Sequence, residues 1–230
     1  MASSGSKTFN LNVNDAIEEA FEQAQLKEPY TGRHYKSARR SLNILLTELI
    51  NKGVNLWTMT LATISLTTGT ASFTLSTSAL DIIDAVVRDT TASSDTSMDR
   101  ISIQEYLQRP RKSDPGKPIQ YTVKKNDSGG ASLFVWPVAD ATNYNLVGWI
   151  TSYMDEVTST GGAQTLQVPI HVMPAIVKGL AYYVALKWGS PDEAGLALRT
   201  ELKGDYDALL GTALEEDRDR ASLYVVPAGR

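Results

Sequence analysis

The chain of 230 residues contains no cysteine. Disulfides and thiolate metal sites are therefore excluded, and folding in a reducing compartment fits that absence. Histidine is almost missing as well: His34 and His171 stand alone, on different expected helices. A His-built metal site or a catalytic triad would need tertiary contact around one of them. The expectation is a solvated helix residue for His34 and a helix start for His171. No phosphate-cradling Gly-rich loop, dinucleotide fingerprint, EF-hand loop or zincin motif occurs, and no Gly-x-Ser-x-Gly elbow. The carboxylate pairs Asp81 with Asp84 and Glu215 with Glu216 could in principle serve acid–base chemistry, but such pairs more often cap or solvate helices. The expectation is a protein that is not an enzyme and takes no cofactor and no metal.

Long apolar runs are lacking too. The richest stretch, Ile170 to Trp188, is interrupted by His171, Pro174, Lys178 and Lys187. A membrane span of about 20 residues rarely tolerates this, so a core helix is expected and no membrane partner. The opening MASSGSKTFN has no apolar segment of the secretory type. The net charge of −4 has the wrong sign for a protein whose main task is gripping nucleic acid. It is compatible with a protein that DNA merely passes.

What is present is an ordinary globular composition, 42% hydrophobic and 21% charged, enough for one good-sized domain or two small ones. Asp15 to Leu26 sets Ile17, Ala20, Phe21 and Ala24 on one helical face, with Asp15 and Glu18 resembling a capping box. A second helix runs from about Arg33 to Asn51 on the stripe Ala38, Leu42, Leu45, Leu46, Leu49 and Ile50, with Gly53 as its expected C-terminal cap. From Trp57 the period becomes two. Met59 and Leu61, then Ala71, Phe73 and Leu75, flank Gly69 and predict a β-hairpin. Ile82 to Arg88 predicts another strand, DTTASSDTSM a polar loop, and DRISIQEYL a short helix. The strands IQYTV, LFVWPV and YNLVGWITSYM follow, the last two as partners, and TSTGGAQT is a loop or hairpin tip. Pro169 and Pro174 announce a third long helix, and a fourth follows from Asp192 to about Asp219.

The fold class expected is α+β: a helical body of two helical hairpins, an inserted antiparallel β domain and an extended C-terminal tail. The boundaries are 1–56 and 169–220 for the two hairpins, 57–168 for the β domain with its short helix, and 221–230 for the tail.

Two features exceed background. Arg33, Lys36, Arg39 and Arg40 crowd the N-terminal half of the second helix, where exposed positive charge opposes the helix dipole at a cost on the order of several tenths of a kcal/mol per residue. The cluster is either a solvated face, neutralised in part by Glu18, Glu19 and Glu22, or a docking face for an acidic protein partner. The tail carries Leu223, Tyr224, Val225 and Val226 behind the charged run EEDRDR. It reads as a disordered terminus or as an extended arm that docks on a neighbouring subunit or partner by strand addition. The aromatics Tyr121, Trp136, Tyr144, Trp149 and Tyr153 read as cross-strand core contacts or, as the alternative, the platform of a receptor- or glycan-binding tail protein.

In order, LNILLTELINKGVNLWT, DIIDAVVRD, DRISIQEYLQRPRKSDPGKPIQY, LFVWPVAD and the closing VPIHVMPAIVKGLAYYVALKWG with LKGDYDALLGTALEEDRDRAS resemble the head-to-tail adaptor proteins of short-tailed bacteriophages, of the tail tubular protein A type. The likeness spans Asp15 to Pro227 and rests on the order of the segments, an analogy at the level of fold. It implies a structural virion protein at the head–tail junction, made in the host cytoplasm. It further implies a ring, commonly of twelve copies, docked under a portal protein, joined to a nozzle or other tail protein, with genomic DNA passing through the lumen. The C-terminal segment is implied to reach towards the portal.

Overall fold

The computed structural model describes residues 11–52, 58–127, 129–154, 156–157, 164–166 and 168–216. The expected cap Gly53, residues 158–163 of the predicted loop and the tail residues Leu223 to Val226 lie outside them. The fold is mixed α+β. Two compact units emerge, one of Met1–Trp57 with Asp155–Arg230 and one of Thr58–Met154.

The first unit is helical. In α1 (Val13–Gln23) the residues Val13, Ala16, Ile17, Ala20 and Phe21 are buried on one face. Its N-cap is Asn12, three residues before the expected box at Asp15 and Glu18. The Asn12 Oδ1 accepts the Asp15 N–H at 2.9 Å and its Nδ2 donates to the Asp15 carboxylate at 2.6 Å, so one side chain satisfies an orphan donor and orients the first-turn acid. Helix α2 (Gly32–Asn51) buries Ala38, Leu42, Leu45, Leu46 and Leu49 as its stripe predicts. His34 is not the solvated residue expected. It stands at the third position of α2, where its Nδ1 accepts the Thr31 N–H at 3.1 Å, the role Glu or Gln usually fills in a capping box. That bend brings its ring edge-on to Trp188, with centroids 5.0 Å apart.

Helix α3 (Ile103–Gln108) belongs to the other unit. Helices α4 (Met173–Trp188) and α5 (Glu193–Glu216) complete this one. Pro174 sits in the first turn of α4, where its missing N–H costs nothing. Helix α4 buries Ala175, Ile176, Val177, Leu180, Ala181, Val184 and Ala185, because α1, α2 and α5 all pack on it. Gly179 permits the closest approach: a Cβ there would lie 3.0 Å from both terminal methyl carbons of Leu45 and 3.0 Å from a Tyr206 ring carbon.

The second unit is a sandwich of two four-stranded sheets. One has the order β1 (Met59–Ser65), β10 (Tyr144–Ser152), β3 (Ala79–Asp89), β4 (Ser94–Ser97), all antiparallel. The other runs β2 (Ser72–Thr74), β8 (Ala131–Trp136), β7 (Gln120–Lys125), β5 (Asp99–Arg100). A minor pair joins β6 (Pro115–Gly116) to β9 (Val138–Ala139). Both inner faces share one core that includes Ile82, Val87, Leu146 and Ile150 from the first sheet and Tyr121, Leu133 and Val135 from the second.

Three expectations change here. The runs on either side of Gly69 are strands, but β1 and β2 lie in different sheets rather than in one hairpin. The predicted polar loop holds β4, tied to β3 by Arg88 and Asp95 at 2.7 Å. Strand β10 pairs with β1 and β3, not with LFVWPV, which is β8. For β1, β2 and β10 the period of two assigned a strand and its faces but carried no information about its neighbour; β4, polar on both faces, offered no apolar alternation to mark it as a strand. The sandwich is also not purely antiparallel: β5 runs parallel to β7, because α3 (Ile103–Gln108) makes the crossover between them. Arg100 of β5 fastens the two sheets, donating to the Asp81 carboxylate at 2.9 Å and to the Ile82 carbonyl at 2.9 Å.

Two glycine substitutions test the helical packing. Gly179→Ala overpacks the contact between α2, α4 and α5 and should destabilise by roughly 1–3 kcal/mol. Gly204→Ala, with nothing within 4 Å of its Cβ, should stabilise α5 by about 0.5–1 kcal/mol. Urea unfolding midpoints read both; an unchanged midpoint for Gly179→Ala contradicts the contact.

Candidate partner interface

The basic cluster does not act as one group. Arg33, Lys36 and Arg40 are exposed on α2 at a spacing that keeps them on one side of the helix. Arg39 turns towards α1, where its Nη2 donates to Asn14 Oδ1 at 3.1 Å, and its Nε is buried without a partner. Among the described residues none of the four is ion-paired with Glu18, Glu19 or Glu22, so the expected partial neutralisation is not made by direct pairing. Those carboxylates have other work: Glu18 accepts the Tyr35 O–H at 2.6 Å, and Glu19 accepts from Gln23 Nε2 at 2.7 Å. The Glu18 hydrogen bond, together with desolvation, pushes the Tyr35 phenol up to about 12. Lys187 of α4 adds a further cation close by. Its Nζ donates to Ser41 Oγ at 2.6 Å and Ser37 Oγ at 3.2 Å, and burial with the nearby Arg40 charge lowers its pKa. The result is a face of exposed positive charge, without an ion pair among the described residues, that can receive carboxylates.

The helical unit also holds a groove of about 340 Å³ between α1, α4 and α5, lined by Leu11, Ile170, Met173, Val177 and Leu209. Gln23 forms part of its wall, and its Oε1 is buried without a donor. His171 is exposed in the turn before α4. Among the described residues no group of acidic or histidine side chains converges as a metal site would require. No helix among them is long and apolar enough to cross a membrane.

In the sandwich, Tyr121, Trp136, Tyr144 and Trp149 do not gather on one surface, and Tyr153, just after β10, is exposed. Tyr121 is core, at 1% exposure, and Tyr144 packs against the core from its margin. Trp136 lies on the outer face of β8, beneath the Arg109 guanidinium at 4.7 Å, its Nε1 donating to the Arg111 carbonyl at 2.9 Å. That face is further covered by α3, whose Tyr106 packs on Phe134 with centroids 5.4 Å apart. Trp149 projects from the opposite sheet, on the outer face of β10, 48% exposed, directly across from Leu61 of β1 at 59%. The register shift between Trp149 and Ile150 leaves Ile83 as the extra residue of β3 and turns it outward, half exposed, beside them. The exposed apolar residues Leu61, Trp149 and Ile83, which share that surface with the exposed Asp84 opposite Trp149, were missed in the sequence, as was the exposed pair Ile103 and Leu107 one turn apart on α3. Alternation marks which residues share a face; it does not tell which face stays open.

A family model described as SU10 adaptor protein matches residues 13–228, nearly the whole chain. No curated protein matches it.

The Tyr35–Glu18 contact makes a stability prediction with a definite sign. A phenol raised on folding favours its neutral form, so its contribution is complete below the unfolded value of about 10 and is lost as pH rises through about 12. Tyr35→Phe should be less stable than the parent at neutral pH, with the gap closing in that alkaline window. A gap independent of pH in a denaturation series contradicts it.

Proposed function

Because the chain belongs to the SU10 adaptor protein family, and is thus a structural adaptor of a bacteriophage particle, we propose that it forms the head-to-tail adaptor ring. Copies of the chain close into a ring of twelve. One side of the ring docks under the portal, the other receives the nozzle or another tail protein, and genomic DNA crosses the lumen at the head–tail junction without sequence-specific binding. The helical body carries the β domain as an insertion, with the boundaries 57–168, and the chain performs no catalysis. The observation that carries this reading is the family match along 13–228.

The physical arrangement supports it. A ring needs heterologous contacts that close after a fixed rotation, hence two different faces per copy. The chain offers a cationic face on α2 and an apolar face on the sandwich. We assign Arg33, Lys36 and Arg40 to an acidic protein surface, with Arg39 fixing the hairpin beside them, and Leu223, Tyr224, Val225 and Val226 to an arm that leaves the body for a neighbouring protein. A net charge of −4 suits a lumen through which DNA slides instead of sticking.

Electron microscopy of the purified full-length chain, alone and with the portal, tests the proposal. Rings should form on the portal, and light scattering should find single copies without it; a chain that stays single in the presence of the portal contradicts the adaptor ring. Arg33→Glu with Arg40→Glu should keep the helical circular dichroism signal and melting curve while losing ring or portal association. Unchanged assembly contradicts the role of the basic face.

A further inference from the structure

The sheets of the sandwich end in four edge strands, and three of them are blunted. Strand β2 has three residues, β5 has two and both are charged, and β4 has four with Asp95 in an ion pair with Arg88. Shortness and charge are the usual means of stopping an edge from pairing with a foreign strand. Strand β1 has neither. Its seven residues, MTLATIS, contain no charge, proline or glycine, it ends its sheet beside β10, and no charged residue stands anywhere between Lys52 and Asp81. Among the described residues both its faces are partly open. On the inner side Ala62 and Ile64 pack against the core yet are only partly buried; on the outer side Leu61 is 59% exposed next to Trp149. An edge of this kind exposes unpaired backbone groups and apolar side chains together.

We propose that β1 is the acceptor for the C-terminal segment Ser222 to Val226 of a second copy, which adds to the sheet as a fifth strand. The inference rests on the adaptor-ring reading and gives its arm a contact with a neighbouring copy instead of the portal contact that the resemblance implies. The donor segment matches what β1 lacks. Leu223 and Val225 alternate with Tyr224 and Val226, so a strand built from them presents apolar side chains to both faces at once. Its five residues fit within the seven of β1. It carries no charge, Pro227 ends its capacity to donate backbone hydrogen bonds, and the charged run from Glu215 to Arg220 separates it from the body of its own chain. Backbone pairing supplies the affinity of such an addition and the alternate side chains its specificity.

The absence of cysteine makes an introduced thiol unique. Thr63→Cys, exposed on the outer face of β1, is placed in one population of full-length chain, and Tyr224→Cys or Val225→Cys in another. The populations are mixed on the portal and oxidised, and rings are verified by microscopy. Adjacent strands bring Cα atoms to about 4.5–5.5 Å, within the ~7 Å that a disulfide spans, but only one of the two tail positions can share the face of Thr63. The expected result is a cross-linked dimer with one tail variant and its loss with the other. Adding Leu61→Lys to the Thr63→Cys population, to place a charge on the edge, should abolish the product. Equal cross-linking of both tail positions, no cross-linking in intact rings, an equally strong dimer of Thr63→Cys alone, or a bond within a single chain carrying both thiols each overturns the proposal while leaving the ring in place. If the unmodified chain forms no ring, the adaptor-ring reading fails and this contact with it.

Discussion

Helix α4 is surrounded for most of its length, and the helical unit is arranged by that constraint. Three helices lean on a single one, so α4 is apolar on several sides rather than on one stripe, and Gly179 must be small where Leu45 and Tyr206 converge on it. Once α2 has spent its apolar stripe on α4, its opposite side is left to water or to a partner. That side carries Arg33, Lys36 and Arg40, exposed and without an ion pair among the described residues. The charge could have been dispersed or balanced from α1. Instead Glu18 of α1 holds Tyr35 of α2, tying the two helices together, and Glu19 holds Gln23 within α1, which leaves the cations without these partners.

The sandwich shows the same division between what folding uses and what it leaves over. One outer face is closed within the unit by α3, by Tyr106 on Phe134 and by Arg109 over Trp136. The other keeps Leu61, Trp149 and Ile83 in the open. An exposed apolar cluster beside an unguarded strand is an aggregation hazard for a protein that stays alone, and an asset for one that acts as a component of a larger particle. Membership of a family of phage adaptors gives the second circumstance.

Helices were easy to read from the sequence because each is set by local signals. The stripe from Ala38 to Leu49, and Pro169 ahead of α4 with Pro174 in its first turn, placed two of them closely, and the period of two found most of the strands. Pairing was not legible. Strands β1 and β2 follow each other around Gly69 yet join different sheets, and β10 bypasses β8 to lie between β1 and β3, since neighbour choice depends on long-range packing that alternation does not encode. Polar side chains with tertiary partners were equally hidden. His34 became a cap and a ring contact, and Asn12 displaced Asp15 as the start of α1. Of the candidate interface, charge clustering located the α2 face but could not separate Arg39, held by Asn14, from its exposed neighbours. The Leu61–Trp149 patch had a signal in the long stretch without charge, which gains its meaning only once β1 is known to be an edge.

On this account the chain is completed by other proteins: a cationic helix face and an open sheet edge remain uncovered until copies meet each other and the particle. Hydrogen exchange of the backbone amides, compared between the isolated chain and the chain incorporated in particles, tests that claim most directly. Amides of Met59–Ser65 that exchange quickly in isolation should become strongly protected on incorporation, while the inner strands, already protected, change little. Equal exchange from β1 in both states would contradict the account.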